Sequence, residues 1–191
     1  MRLAVRRALW ACLLSMAAQA ADADALKAGV FNPAREAPDF SVHGSDGADL
    51  TLSDYRGKVV VLGFGYTSCP NVCPATLAVL AMAHRKLGAL GSQVQVIYLT
   101  VDPERDSAER LKQYLAGFDS SFVGGTGTAA QMAAVRQQYG VTAEKVGSGS
   151  GYGIAHSSSI YLITREGRLR ALMPFGHKAD DYVHDISALL N

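Results

Sequence analysis

Two cysteines stand in the segment Cys69-Pro70-Asn71-Val72-Cys73-Pro74, and each of them is followed by a proline. Because a proline disfavours the α region for the residue before it, we expect neither Cys69 nor Cys73 to lie inside a regular helix. Pro74 suits the first helical position, which places Cys73 near the N-cap and Cys69 in the preceding turn. The positive end of the helix dipole should lower the pKa of both thiols. Thiolates bind soft metals and exchange disulfides, so the segment predicts a redox or metal site.

The beginning of the chain, residues 1–20, has the features of a signal peptide. It combines a basic start, a short apolar run over 8–17 and the A-x-A-type cleavage site Ala18-Gln19-Ala20. The apolar run is shorter than the ~20 residues that cross a bilayer, so no permanent membrane anchor is predicted. We therefore expect an exported protein, which is periplasmic in a Gram-negative host.

Charge and cysteine count narrow the function of the remaining chain. Three of the 18 Lys and Arg residues lie in the leader, so the other 15 face 17 Asp and Glu residues and the formal charge is −2. No basic patch indicates a nucleic-acid partner. Outside the leader the cysteines are Cys69 and Cys73 alone. A disulfide across so short a loop restrains little of the unfolded chain, which favours a reactive pair over a structural bridge.

Hydrophobic periodicity predicts the elements that position this pair. Apolar runs and amphipathic stripes indicate strands over 58–66 and 93–101 and near Phe122, helices over 74–90, 106–118, 128–139 and 179–190, and a hairpin over 159–164 and 169–174. We expect a loose lead over 21–34, one domain over 35–191 and a Gly/Ser-rich loop over 146–153. This order predicts an α/β, thioredoxin-like fold with a central mixed β-sheet flanked by helices. The cysteines follow the first central strand, at the edge where open α/β sheets bind ligands.

From about residue 37 onward the chain resembles the Sco/SenC family, proteins implicated in copper delivery to cytochrome c oxidase. The resemblance rests on the stretch Gly65–Pro74 around the cysteines, on Val101–Asp106, and on the segment that begins with His156-Ser157-Ser158. It implies a mononuclear site for copper, as Cu(I), Cu(II) or both, with Cys69, Cys73 and His156 as ligands. The residue types agree with this, because thiolates select soft metals and imidazole suits copper.

The resemblance also implies a redox behaviour and a partner for the site. Cys69 and Cys73 would form a redox-active disulfide when the metal leaves, restored by a thiol reductant. The expected partner is the copper-site subunit of a terminal oxidase or another periplasmic copper protein. Asp102, which ends a central strand near the same face, either orients the site or only turns the chain. Relatives often carry acidic residues at the positions of Asn71 and Ala155, so charges near the site are fewer here.

The same thiols are compatible with another function. We expect a metallochaperone rather than a turnover enzyme, and the alternative is a thiol–disulfide oxidoreductase that reduces the cysteines of the copper-site target. Such reductases usually carry C-x-x-C and a cis-proline, whereas this chain has C-x-x-x-C and His156 near the expected place of that proline. A peroxiredoxin would need a proline-containing segment before Thr67, where Gly63-Phe64-Gly65 stands. A zinc site would need a fourth ligand with recognisable spacing. A hinge over 147–153 that moves His156 remains an open prediction.

Overall fold

The computed structural model of the protein describes residues 26–191. Within that range the chain forms the strands β1 Gly29–Glu36, β2 Ser41–Gly44, β3 Asp49–Thr51, β4 Val59–Gly65, β5 Val94–Thr100, β6 Val123–Thr126, β7 Ala143–Val146, β8 Gly153–His156, β9 Ile160–Ile163 and β10 Arg168–Met173. The α-helices of the same range are α1 Val72–Leu87, α2 Ala108–Ala116, α3 Ala129–Tyr139 and α4 Ala179–Leu190. Short 3-10 helices cover Leu52–Tyr55, Gly88–Gln93 and Gly149–Gly151. In this part of the chain no helix is both long enough and apolar enough to cross a membrane. The leader predicted over 1–20 lies outside the described residues.

The centre of the molecule is a mixed sheet with the strand order β1-β10-β9-β4-β5-β6-β2-β3. Strands β4, β5 and β6 are parallel, and the other neighbours are antiparallel. Every residue of β4 is buried, as expected for an apolar run that is covered on both faces. Helix α1 packs against α4, and α2 packs against β6. The predicted α/β class and the mixed sheet flanked by helices are confirmed.

Elements with a strong periodic pattern lie close to their predicted bounds. Strands β4 and β5 each end one residue inside the predicted run. Helix α3 begins after Thr128, whose side chain accepts a hydrogen bond from the Gln131 amide and so caps the helix. Helix α4 spans the predicted range Ala179–Leu190. The parallel strands therefore bring the ends of β4 and β5 to one edge of the sheet, where the cysteine segment begins.

Part of the segment predicted as a loose lead is ordered structure. Residues 29–34 lie in β1, which pairs with β10 in antiparallel fashion. Just before β1, the amides of Lys27 and Ala28 donate to the buried Asp185 carboxylate of α4 at 2.7 Å and 2.8 Å. The prediction failed there because β1 is an edge strand with mostly exposed side chains and a proline, so it has no alternating apolar pattern.

The Gly/Ser-rich stretch predicted as a mobile loop is the tip of a β-hairpin. Strands β7 and β8 pair in the register Ala143↔His156 to Val146↔Gly153 and form a two-stranded sheet separate from the central one. The side chains of β7 are largely exposed, so its sequence carries no strand periodicity. The hairpin ends at His156 and so carries the third predicted ligand.

Candidate metal centre

The cysteine segment lies where strand β4 ends and helix α1 begins. Cys69 is in the intervening turn, and its amide donates to the Tyr66 carbonyl at 3.3 Å. Cys73 is the second residue of α1, and its amide donates to Cys69 Sγ at 3.5 Å. The prediction that Cys73 stays outside the helix is therefore wrong. N–H groups of the first helical turn have no acceptor within the helix, so Pro74 removes no hydrogen bond there. Burial of Cys73, which is 2 % exposed, outweighs the local preference.

The two thiols have opposite electrostatic environments. Burial raises the pKa of Cys69, but hydrogen bonds from the Cys73 thiol and from backbone N–H groups at the start of α1 outweigh it, so the Cys69 pKa is lowered. At Cys73 burial dominates and raises the pKa to about 12. The prediction of a lowered pKa is thus confirmed for Cys69 and wrong for Cys73. Cys69 is the sulfur that ionises first, and both residues are free thiols here.

His156 presents one ring nitrogen to the cysteines. Its Nε2 lies 3.6 Å from Cys73 Sγ. Its Nδ1 lies 2.8 Å from the carbonyl oxygen of Ser157, and a carbonyl only accepts, so Nδ1 carries the proton and Nε2 keeps its lone pair. Burial lowers the pKa of His156 despite the opposing hydrogen bond to Ser157. The imidazole is therefore neutral near pH 7, which is the form that binds a metal.

The distance between Cys73 and His156 fits a shared metal ion. With metal–sulfur and metal–nitrogen bonds of about 2.3 Å and 2.0 Å, as in zinc sites, the 3.6 Å separation corresponds to an angle of roughly 110° at the metal. A cavity of about 10 Å³ lies beside these two residues. Among residues 26–191, no group of three or more His, Cys, Asp or Glu side chains is already assembled as a metal cluster. Cys73 contacts both other predicted ligands.

Tyr98 and Gly65 lie next to Cys73. The Tyr98 hydroxyl opposes the rise in the Cys73 pKa that burial causes. A Cβ atom at Gly65 would lie 1.7 Å from Tyr98 Oη and 2.9 Å from Cys73 Sγ, so a glycine is required for both groups to pack against β4. Sequence reasoning missed both residues. A glycine inside a buried strand, which often marks a close approach of another group, was the available signal.

Asp106 organises the turn that holds Cys69. Its carboxylate is fully buried and accepts hydrogen bonds from the Thr67 amide at 3.0 Å, the Thr67 hydroxyl at 2.6 Å and the Thr100 hydroxyl at 2.8 Å. Arg110, 3.7 Å from the carboxylate, also donates to Thr67. Asp106 thereby fastens the residues before Cys69 to the end of β5. Sequence reasoning assigned no role to Asp106, because its contacts with Thr67 join segments that are 39 residues apart.

Asp102 lies beneath the β7–β8 hairpin, away from the predicted ligands. It is 1 % exposed, and its carboxylate accepts from Arg105 Nε and from the Tyr152 hydroxyl, the latter at 2.7 Å. Its own amide donates to the Thr100 hydroxyl at 2.9 Å. Asp102 therefore contacts the hairpin that carries His156 and reaches the cysteines only through other residues.

A comparison with known protein families identifies the family to which this chain belongs. The family model described as SCO1/SenC matches residues 30–191, which include the cysteine segment and His156. The chain belongs to the SCO1/SenC family.

Relatives of this SCO1/SenC chain agree in fold. The Bos taurus SCO2 homolog, a mitochondrial protein, is 37% identical over 133 residues, which are 68% of this chain and 50% of the relative. The chain thus spans about half the length of that relative. The structure of Bradyrhizobium japonicum ScoI with copper bound is 33% identical, covers 82% of this chain and 100% of its own, and has a TM-score of 0.75. The solution structure of apo Sco1 of Thermus thermophilus is 34% identical, covers 86% of this chain and 97% of its own, and has a TM-score of 0.79. The predicted thioredoxin-like fold is confirmed.

The two departures from the resemblance lie at the surface of this SCO1/SenC chain. Asn71 is exposed at the N-cap of α1 and makes no side-chain capping hydrogen bond. Ala155 is exposed on β8, next to His156. Neither position supplies a carboxylate to the candidate centre, so its charge is set by the two sulfurs.

Proposed function

We propose that the protein is a periplasmic metallochaperone that carries copper for the dinuclear copper site of cytochrome c oxidase. Copper is its cargo, held by Cys69, Cys73 and His156. The observation that carries this proposal is the 3.6 Å contact between Cys73 Sγ and His156 Nε2, with the lone pair of Nε2 free. The copper held by the similar Bradyrhizobium japonicum ScoI supports the choice of metal. Export rests on the predicted leader over 1–20.

Each ligand contributes a distinct property. Cys69 has a lowered pKa and is partly exposed, so it supplies a thiolate where a partner can reach it. Cys73 is buried with a pKa raised to about 12, so it releases its proton only as a metal binds. The neutral imidazole of His156 completes a set of two sulfurs and one nitrogen, which favours copper over harder cations. When copper leaves, the pair is free to close as a disulfide in exchange with an oxidising partner disulfide.

The unequal thiols also support a second function, a thiol–disulfide oxidoreductase. Cys69 thiolate would attack one sulfur of a target disulfide and release the other sulfur as a thiolate. That thiolate takes the proton of Cys73, whose sulfur then attacks Cys69 and releases the second target thiol. Two electrons pass from the dithiol to the target, and an external thiol reductant must restore Cys69 and Cys73.

A copper titration of the reduced protein separates the two functions. The chaperone predicts one tightly bound equivalent and, with Cu(II), a thiolate charge-transfer band in the absorption spectrum. In the His156→Ala variant the band should be lost, and the affinity should fall by more than ~100-fold, because losing a ligand exceeds the effect of losing an outer partner. Dithiol oxidation should persist in that variant. Weak copper binding together with rapid exchange with a disulfide would instead establish the oxidoreductase.

A further inference from the structure

The hairpin that carries His156 is not held by the central sheet. Strands β7 and β8 pair only with each other among the described strands. The ladder from Ala143↔His156 to Val146↔Gly153 fixes the shape of the hairpin but not its distance from Cys73. Besides the short connection from His156 to β9, that distance depends on side chains between the hairpin and the body of the domain.

One set of such contacts converges on Tyr152, at the start of β8. Its hydroxyl donates to the buried carboxylate of Asp102 at 2.7 Å. The guanidinium carbon of Arg105 lies 3.7 Å from the centre of the Tyr152 ring, and Arg105 Nη1 donates to the Tyr152 carbonyl at 2.9 Å. Arg105 is itself fixed, because its Nε donates to Asp102. The Arg105–Asp102 ion pair thus binds Tyr152 at its hydroxyl, at its ring face and at its backbone carbonyl.

A second set of contacts connects this group to the candidate ligands. The Tyr66 hydroxyl accepts a hydrogen bond from the Ile154 amide at 3.1 Å, and the Tyr66 ring meets the His156 ring edge to face at 5.9 Å. The guanidinium of Arg105 also lies over the Tyr66 ring, at 5.8 Å. Tyr66 belongs to the turn before Cys69. Arg105 therefore lies between the turn that holds the sulfurs and the hairpin that holds the imidazole.

We propose that Arg105 and Tyr152 are positioning residues that hold His156 Nε2 within bonding reach of the metal bound at Cys73. They bind the hairpin to Asp102, and through Tyr66 they orient the imidazole ring. This inference rests on the proposed function, because it assigns residues that act on the same copper site. It differs from a general contribution to stability in one respect: Tyr152 acts on the metal only through the hairpin that carries His156.

A double-mutant cycle in copper affinity tests this difference. In the wild-type background, Tyr152→Ala should weaken copper binding about 10- to 100-fold, the usual effect of losing an outer partner of a metal ligand. Tyr152→Phe keeps the ring stacked on Arg105 and loses only the hydroxyl, so its effect should be smaller. In the His156→Ala background, Tyr152→Ala should produce no further loss. Glu144→Gln, an exposed change on the same hairpin, is the matched control and should leave copper affinity unchanged in both backgrounds.

A measurement on the copper-free protein separates this proposal from the function on which it rests. The imidazole NMR signals of His156 should shift in Tyr152→Ala, and its nuclear Overhauser contact with the Tyr66 ring should weaken. Both should stay as in the wild type in Glu144→Gln. If copper failed to bind the wild-type protein, these signals would still report the position of His156. Equal losses of copper affinity in the wild-type and His156→Ala backgrounds, or unchanged imidazole signals in Tyr152→Ala, would overturn the assignment.

Discussion

Replacing Gly65 by alanine should disrupt the packing around Cys73 in the candidate centre. The new Cβ would lie 1.7 Å from Tyr98 Oη, 2.6 Å from Tyr98 Cζ and 2.9 Å from Cys73 Sγ. Neither neighbour can move aside easily, because Tyr98 and Cys73 are each 2 % exposed. Overpacking of a dense core costs about 1–3 kcal/mol. Moving the buried Tyr98 hydroxyl away from the sulfur whose thiolate it stabilises adds the cost of a poorly placed buried polar group, about 1–3 kcal/mol.

We therefore expect Gly65→Ala to lower the free energy of unfolding by about 3 kcal/mol or more. Chemical denaturation followed by far-UV circular dichroism measures this loss. Gly29→Ala is the matched strand control, since its Cβ would meet only the Leu172 carbonyl at 3.6 Å, and it should change stability little. The copper spectrum of Gly65→Ala should also change, because Cys73 is displaced.

Tyr98→Phe provides a second test of the same geometry. It removes the hydroxyl oxygen that the new Cβ would meet at 1.7 Å and leaves the Cζ carbon at 2.6 Å. Gly65→Ala should consequently cost less in the Tyr98→Phe background than in the wild type, and the two changes should not be additive. If Gly65→Ala were as stable as Gly29→Ala, or if its cost were the same in both backgrounds, the packing argument around Cys73 would be refuted.

Three further predictions concern the two thiols, the buried Asp106 carboxylate and the contact of Asp185 with the segment before β1. Because its pKa is lowered, Cys69 should reach its full rate of alkylation by iodoacetamide at a lower pH than a cysteine in an unstructured peptide, whereas Cys73, with a pKa of about 12, should react far more slowly; equal rates by mass spectrometry would contradict this. In Asp106→Asn an amide replaces the carboxylate that accepts hydrogen bonds from three donors, so the free energy of unfolding in denaturant should fall by about 3 kcal/mol. A loss under about 1 kcal/mol would argue against the role of Asp106 in holding the turn. Asp185→Asn should speed amide exchange at Ala28, because it weakens the charge-assisted hydrogen bond from the Ala28 amide to the Asp185 carboxylate. Unchanged exchange would show that the pairing of β1 alone holds the segment before it in place.

The sequence predicted those features that depend on neighbouring residues in the chain. The apolar run of β4 and the amphipathic pattern of α4 identified their elements, because burial is recorded in local periodicity. The pairing of Cys69 and Cys73 at the strand–helix junction was likewise predicted from composition and from the position of the prolines. The approach of His156 was expected from a family resemblance, and the hairpin that brings it there was not.

What the sequence could not predict depends on contacts between distant segments. The raised pKa of Cys73 results from its burial, which outweighs the lowering effect of the Tyr98 hydroxyl from the next strand. The roles of Asp106 and Tyr152 consist of hydrogen bonds across 39 and 50 positions of the chain. Strand β1 was missed because an exposed edge strand needs no apolar alternation. Local patterns therefore indicated where the site begins, and long-range packing determined its chemistry.

In the copper carrier proposed above, the unequal burial of the two sulfurs would give transfer a preferred order. Cys73 is 2 % exposed, whereas Cys69 is partly exposed in the turn. In the proposed carrier, a ligand of an acceptor protein would reach the partly exposed Cys69 before the buried Cys73, so Cys73 would be the last sulfur to give up the cargo. A carrier with two equally exposed sulfurs would be open to water at both. With one sulfur buried, the proposed carrier would keep its cargo until an acceptor had supplied a ligand of its own.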